Sequence, residues 1–185
     1  MKIAFLSCYS GVVFRGAETV CDALAKHLSD RHDVTVFQPK KFMIDRPYRI
    51  VEIPVVVGEG KTPRSVLKYL RLDRPHRKTL YFSLKSIWKC FSIKPNVIIP
   101  MNGGWVTLMA KIYSVFSGAS LVVSGQSAVC PDPMTLKIRP DLFVCLSQPN
   151  EKCVKRIAPK QKTVIIPNGV DLDQFAPTPK TNPYG

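Results

Sequence analysis

The feature that most limits what this chain can fold into is a recurring three-part beat. A short apolar run is followed by a loop of small or amide-bearing residues, and then by apolar residues at helical spacing. The first instance is Ile3-Ala4-Phe5-Leu6-Ser7, a loop containing Gly11 and Gly16, and then Ala17, Val20, Cys21, Leu24 and Leu28. Val34-Thr35-Val36-Phe37 reads as a second strand, and residues Arg49 to Val57 as a third. Val97-Ile98-Ile99 is closed by Pro100-Met101-Asn102-Gly103-Gly104, and a helix with Trp105, Leu108, Met109, Ile112 and Phe116 on one face follows. Strands are expected at Ser120 to Val123, Asp141 to Leu146 and Thr163 to Ile166, with a short helix near Asn150 to Ile157. Strands that are apolar throughout, with helices between them, belong to a parallel sheet covered on both faces. The expected fold is therefore α/β: a doubly wound, mostly parallel, Rossmann-like sheet.

That expectation says where a ligand would bind. In open parallel sheets the crevice lies outside the carboxyl ends of the strands. Five punctuating loops are predicted at those ends: Gly11 to Gly16, Asn102-Gly103-Gly104, Ser124-Gly125-Gln126-Ser127, Ser147-Gln148 and Pro167-Asn168-Gly169. Small residues leave room there, and backbone N–H groups at helix starts favour phosphate. Any one glycine is equally explained by a tight turn; five on one edge point to a site. Neither a G-x-G-x-x-G fingerprint nor a P-loop is present. In Arg15-Gly16-Ala17-Glu18 the glycine could bring bare backbone up to a diphosphate. Glu18 serves equally as a first-turn carboxylate favoured by the helix dipole or as an acceptor for a hydroxyl. His27, His32 and His76 fall outside the predicted edge, and the acids form no obvious pair, so no catalytic residue and no metal site is assigned. The six cysteines are far apart without Cys-x-x-Cys spacing, and the expectation is reduced, partly buried thiols.

Composition enters through charge. Lys and Arg number 27 against 13 Asp and Glu in 185 residues, a formal +14, which favours anionic partners. The excess concentrates between Lys61 and Lys94, where ten basic residues face one acid, Asp73. Leu67, Leu70, Leu80, Phe82, Leu84, Ile87, Trp88 and Phe91 interleave with them. This pattern fits a membrane-surface element, with Arg64, Lys68, Arg71, Lys85, Trp88 and Lys89 facing lipid, or a core-covering helix with a solvated face. No nucleic-acid motif accompanies the charge, so nucleic acid is not an expected partner. No apolar run reaches the length that spans a bilayer, and a cytoplasmic protein, peripheral on the inner face of the membrane, is expected.

Three segments then carry a resemblance: Ile3 to Ser7 with Arg15-Gly16-Ala17-Glu18-Thr19; Lys94-Pro95-Asn96-Val97-Ile98-Ile99; and Val164-Ile165-Ile166-Pro167-Asn168-Gly169-Val170-Asp171 with Phe175. Together they resemble the N-terminal domain of retaining GT-B fold glycosyltransferases of family 4, the last string being the most specific. The resemblance implies a hexosyl- or other glycosyltransferase of glycan or polysaccharide biosynthesis. Such an enzyme moves a sugar from a nucleotide-sugar donor to a glycan or lipid-linked acceptor, with the nucleotide-sugar as substrate and no cofactor or metal. It makes residues 1–172 the acceptor-side domain and 173–185 the start of a linker to a second, nucleotide-binding domain absent from these residues, so that the chain alone is expected to be inactive. Donor diphosphate or acceptor is expected at Arg15, Gly16, Glu18, Asn102, Gly103, Gly104, Gly125, Gln126, Ser127, Asn168 and Gly169. One departure concerns the loop after Ser120 to Val123. Many members carry a histidine there, whereas this chain has Gln126, which can hydrogen-bond a hydroxyl but cannot exchange a proton at neutral pH. The competing reading is a non-catalytic α/β module that docks on an anionic membrane or a protein partner.

Overall fold

The computed structural model describes residues 1–13, 15–40, 45–55, 74–126 and 130–169. Its strands are β1 (Lys2–Leu6), β2 (Asp33–Gln38), β3 (Arg49–Glu52), β4 (Val97–Pro100), β5 (Ser120–Ser124), β6 (Leu142–Cys145) and β7 (Thr163–Ile165). The helices between them are α1 (Gly16–Ser29), α2 (Arg74–Ile93), α3 (Trp105–Ser117), α4 (Pro133–Lys137) and α5 (Gln148–Ile157). All seven strands join in one sheet of order β3-β2-β1-β4-β5-β6-β7, every pairing parallel. This is the expected doubly wound α/β fold, with β3 shorter than its sequence run.

Because the crossovers run outward from β1 in both directions, the helices divide between the faces. Ala4, Leu6, Ile98, Leu121, Val123 and Phe143 form one core with Phe82 and Cys90 of α2, Val106 and Ala110 of α3, Leu136 of α4 and Val154 of α5. Ile3, Phe5, Val34 and Val36 point the other way and pack on Cys21 and Ala25 of α1. The alternation along β1 is thus the physical record of a strand buried on both sides.

Two helices turn out differently from their sequence patterns. In α3 the side chains packed on the sheet are Val106, Thr107, Ala110, Tyr113 and Ser114, so the stripe of Trp105, Leu108, Met109, Ile112 and Phe116 is not the core face. Helix α3 is apolar nearly all round, and Tyr113 is buried on the sheet side beside the smaller Val106, Thr107, Ala110 and Ser114, with Met109 packed at its edge. In α2, Phe82, Ile87 and Cys90 are buried while Leu84, Trp88 and Phe91 are exposed, so its apolar residues split between core and surface.

The thiol expectation also needs correction. Cys130 and Cys153 form a disulfide, with Cα atoms 5.7 Å apart. The crossover from β5 through α4 and β6 brings the two residues together, which their separation of 23 positions could not reveal. Cys8, Cys21, Cys90 and Cys145 remain free and buried.

Candidate functional site

Parallel strands place all five predicted loops on one edge, and the sheet order makes their strands β1, β4, β5, β6 and β7 consecutive neighbours. The chain reverses direction of winding at β1, so the crevice between β1 and β4 is the switch point where such folds bind ligands. Here the loops are tied together. The Met101 N–H donates to the Leu6 carbonyl (2.9 Å) and the Ser7 N–H to the Phe37 carbonyl (3.0 Å), extending the pairing past the strand ends. The Cys8 N–H then donates to Asn102 Oδ1 (2.9 Å), which links the loop after β1 to the loop after β4.

Next to this link lies a cavity of about 210 Å³ between the loops after β4 and β5. Asn102, Gly103, Thr107, Gln126, Asp132 and Thr135 contribute its polar wall, and Phe143 is part of its apolar lining. Gly104 starts α3 with φ 65° and ψ −127°, a conformation closed to residues with a Cβ. A Cβ on Gly125 would stand 2.8 Å from the Phe143 ring, so the strand end can approach that ring only as glycine. Gln126 Nε2 donates to Ser124 Oγ (2.8 Å), while its Oε1 accepts from Asn168 Nδ2 (3.3 Å), bringing the loop after β7 to the same place. Asn102, Gly103, Gly125 and Gln126 therefore line one cavity, Gly104 shapes it, and Asn168 reaches it through Gln126. Gly169 is exposed beside Asn168, and Ser147 caps α5 through the Asn150 N–H (3.4 Å). Ser127 lies outside the described residues, as do Arg64, Lys68 and Arg71 and all of 173–185.

Arg15, Gly16 and Glu18 form a separate corner at the start of α1. Arg15 and Gly16 are exposed, and the Arg15 guanidinium sits 5.6 Å from the Tyr9 ring centre. Glu18 is 5% exposed, and its Oε2 has no hydrogen-bond partner among the described residues. It faces the thiols of Cys8 and Cys21, both pushed up to about 12 by burial first, with the Glu18 carboxylate among the further causes. Ser7 and Ser10 share a hydroxyl–hydroxyl hydrogen bond of 2.7 Å beside them.

Sequence reasoning passed over Asp132 and Thr135. Asp132 caps α4 by accepting from the Met134 N–H (3.2 Å), with Pro133 following at the first helical position. The Asp-Pro pair is a helix-start signal, and it could have placed a carboxylate on this edge. Among the described residues no cluster of His, Cys, Asp and Glu could hold a metal ion, and no helix is long and apolar enough to cross a membrane.

No protein-family model matches the sequence, and no curated protein matches it. Solved structures do. Anabaena HepE in complex with UDP-glucose superposes with a TM-score of 0.65 at 16% identity, covering 97% of this chain and 47% of that one. Acinetobacter baumannii MurG gives 0.59 at 14%, covering 97% and 50%. The UDP-GlcNAc 2-epimerase of Methanocaldococcus jannaschii gives 0.57 at 11%, covering 89% and 45%. The fold is that of one GT-B half. The chain spans about half the length of these proteins. At such identities the likeness carries the architecture and not the chemistry; an epimerase shares it too.

Proposed function

We propose that this chain is the acceptor-side half of a retaining, nucleotide-sugar-dependent glycosyltransferase of family 4, working at the cytoplasmic face of a membrane. The observation that carries the reading is the cavity next to the switch point, between the loops after β4 and β5, where amide, hydroxyl and carboxylate residues line one space together with apolar ones. A polyhydroxylated ring needs that combination: donors and acceptors for its hydroxyls and a flat apolar surface for its C–H face. HepE, a structural neighbour, is seen with UDP and with UDP-glucose, which supports a nucleotide-sugar as the donor.

In this reading Asn102, Gln126 and Asp132 orient the acceptor so that one hydroxyl oxygen faces the donor's anomeric carbon. The bond from that carbon to the diphosphate oxygen breaks, a bond to the acceptor oxygen forms, and the acceptor proton leaves with the nucleoside diphosphate. Orientation of this kind converts an encounter between two substrates into an effectively unimolecular step. The donor would be held chiefly by a second α/β half, with the Arg15-Gly16 corner approaching its diphosphate, so the 185 residues alone bind acceptor without turnover.

Saturation-transfer NMR on the full chain tests this, using a panel of oligosaccharides and UDP-glucose as probes. Saturation of saccharide protons, lost in Gln126→Ala and Asp132→Ala, is the expected result. Absence of any saccharide signal, or signals unchanged in both variants, overturns it.

A further inference from the structure

Helices α2 and α3 lie side by side over one face of the sheet, with Phe91 and Tyr113 in edge-to-face contact at 5.1 Å. Their inward faces are accounted for by the core. Their outward faces are not those of ordinary surface helices. On α2, Tyr81, Leu84, Trp88 and Phe91 recur at helical spacing and are all exposed, Trp88 by 78%. On α3, Ile112, Val115 and Phe116 are exposed, the last two by 69% and 78%. Phe91, Tyr113 and Phe116 also line a groove of about 480 Å³ between the C-terminal ends of the two helices, with Lys94 at its rim. Large aromatic and aliphatic side chains are thus collected in one continuous strip, which a monomeric soluble domain seldom leaves bare.

The charges carried by the two helices are all of one sign, and of their lysines only Lys111 of α3 is paired with an acid among the described residues, Asp141 at 3.8 Å. Lys78, Lys85 and Lys89 form a row along α2 next to the apolar residues, with the Lys85 ammonium 5.6 Å from the Tyr81 ring centre. Neither α2 nor α3 contains an aspartate or a glutamate. A protein partner of ordinary composition would be met by charges of both signs. An apolar strip with a single-sign basic border fits a surface that is apolar within and anionic at its rim.

We infer that the outer face of α2 and α3 docks on a bilayer bearing anionic headgroups, with Trp88, Phe91, Val115 and Phe116 entering the headgroup–acyl boundary and Lys78, Lys85 and Lys89 paired with lipid phosphates. The inference rests on the membrane part of the proposed function and gives it a surface. It narrows the lipid-facing set read from the sequence to Lys85, Trp88 and Lys89 among the described residues and adds Lys78, Phe91, Val115 and Phe116, of which only Phe116 belongs to the α3 stripe read from the sequence. Both helices end at the sheet edge opposite the cavity, because each returns antiparallel to the strands it connects. A bilayer along this face therefore leaves the cavity's edge of the sheet open.

Flotation of the full chain with vesicles of phosphatidylglycerol or of phosphatidylcholine tests the assignment. The expected result is flotation with phosphatidylglycerol and little with phosphatidylcholine. Trp88→Ser combined with Phe116→Ser should weaken binding at least about tenfold, since each side chain loses apolar burial. Lys85→Gln with Lys89→Gln should weaken it roughly 25-fold, about fivefold per charge removed, and lessen its dependence on salt. Trp88 emission should shift to the blue on lipid, a signal that Trp88→Phe removes. The assignment is overturned by equal flotation with both lipids, by no flotation, or by Trp88→Ser/Phe116→Ser floating like the wild type. A concentration-dependent dimer abolished by the same pair, without flotation, hands the face to a second copy and equally overturns it. Saccharide binding by NMR is read separately, so failure here leaves the acceptor reading standing.

Discussion

The cavity edge of the sheet and the outer face of α2 and α3 are built on opposite plans. At the edge, polar groups are satisfied within the chain: Asn102 by the Cys8 N–H, Gln126 by Ser124 and Asn168, Asp132 by the Met134 N–H. Gly104 and Gly125 sit there where no larger residue fits. On the helix face the side chains are large and exposed, and apart from Phe91 on Tyr113 and Lys85 on Tyr81 no ring contact holds them among the described residues. The edge owes its shape to internal bonds, so substitutions there should register as stability. The helix face owes the fold almost nothing, so substitutions there should register only against a partner.

The largest expected effect on the edge side comes from the disulfide. Cys130 and Cys153 fasten the segment after β5, which leads into the cavity wall at Pro131 and Asp132, to α5. Reduction, or Cys153→Ser, should lower unfolding free energy by about 3 kcal/mol, the loop-closure value for a bridge of this span. Denaturant melts with and without reductant measure it. A difference below about 1 kcal/mol would mean the edge is held by its hydrogen bonds and packing alone.

Next come the two glycines. Gly104→Ala forces a Cβ into backbone angles open only to glycine, and Gly125→Ala drives one into the Phe143 ring. Each should cost about 2 kcal/mol. Gly125→Ala should also narrow the cavity and weaken saccharide binding, whereas Gly16→Ala, with no atom within 4 Å of the added carbon, should leave stability nearly unchanged. Thermal melts of the three variants rank them.

Asn102→Ala tests the link between the loops. It removes the acceptor for the Cys8 N–H and should cost about 1 kcal/mol, with Asn102→Asp restoring most of it because an acceptor oxygen returns. A full loss in both variants would show that the amide's donor side matters more than the bond to Cys8.

How much of this could be read beforehand differs between the two regions for a physical reason. Parallel strands announce themselves through continuous apolar runs, and their shared direction alone puts Asn102, Gly125, Gln126 and Asn168 on one edge. What distance a loop spans, and whether Arg15 and Glu18 join the same cavity or form their own corner, depends on packing that no local pattern encodes. The disulfide was invisible for the same reason. Helix α3 failed differently: when a helix is apolar on every side, periodicity cannot say which face meets the sheet. Thr107, Ala110 and Tyr113 took that place, and Ile112 and Phe116 were left outside. Asp132 was legible through Asp-Pro, a capping signal that was there to be used.

The smallest expected effect is the most discriminating. Trp88→Ser replaces the largest side chain of α2 with a small polar one at a position 78% exposed, on the face turned away from Phe82 and Cys90. Substitutions that touch no buried contact change stability by no more than about 0.5 kcal/mol, so its melting curve should overlay that of the wild type. Phe116→Ser should behave alike, despite the aromatic groove it helps to line, because the Phe91–Tyr113 contact beneath it remains. A loss above about 1 kcal/mol in either variant would mean that the strip packs within the chain. The contrast between a self-satisfied edge and an unclaimed helix face would then collapse, and an ordinary structural role would explain why tryptophan stands at that position.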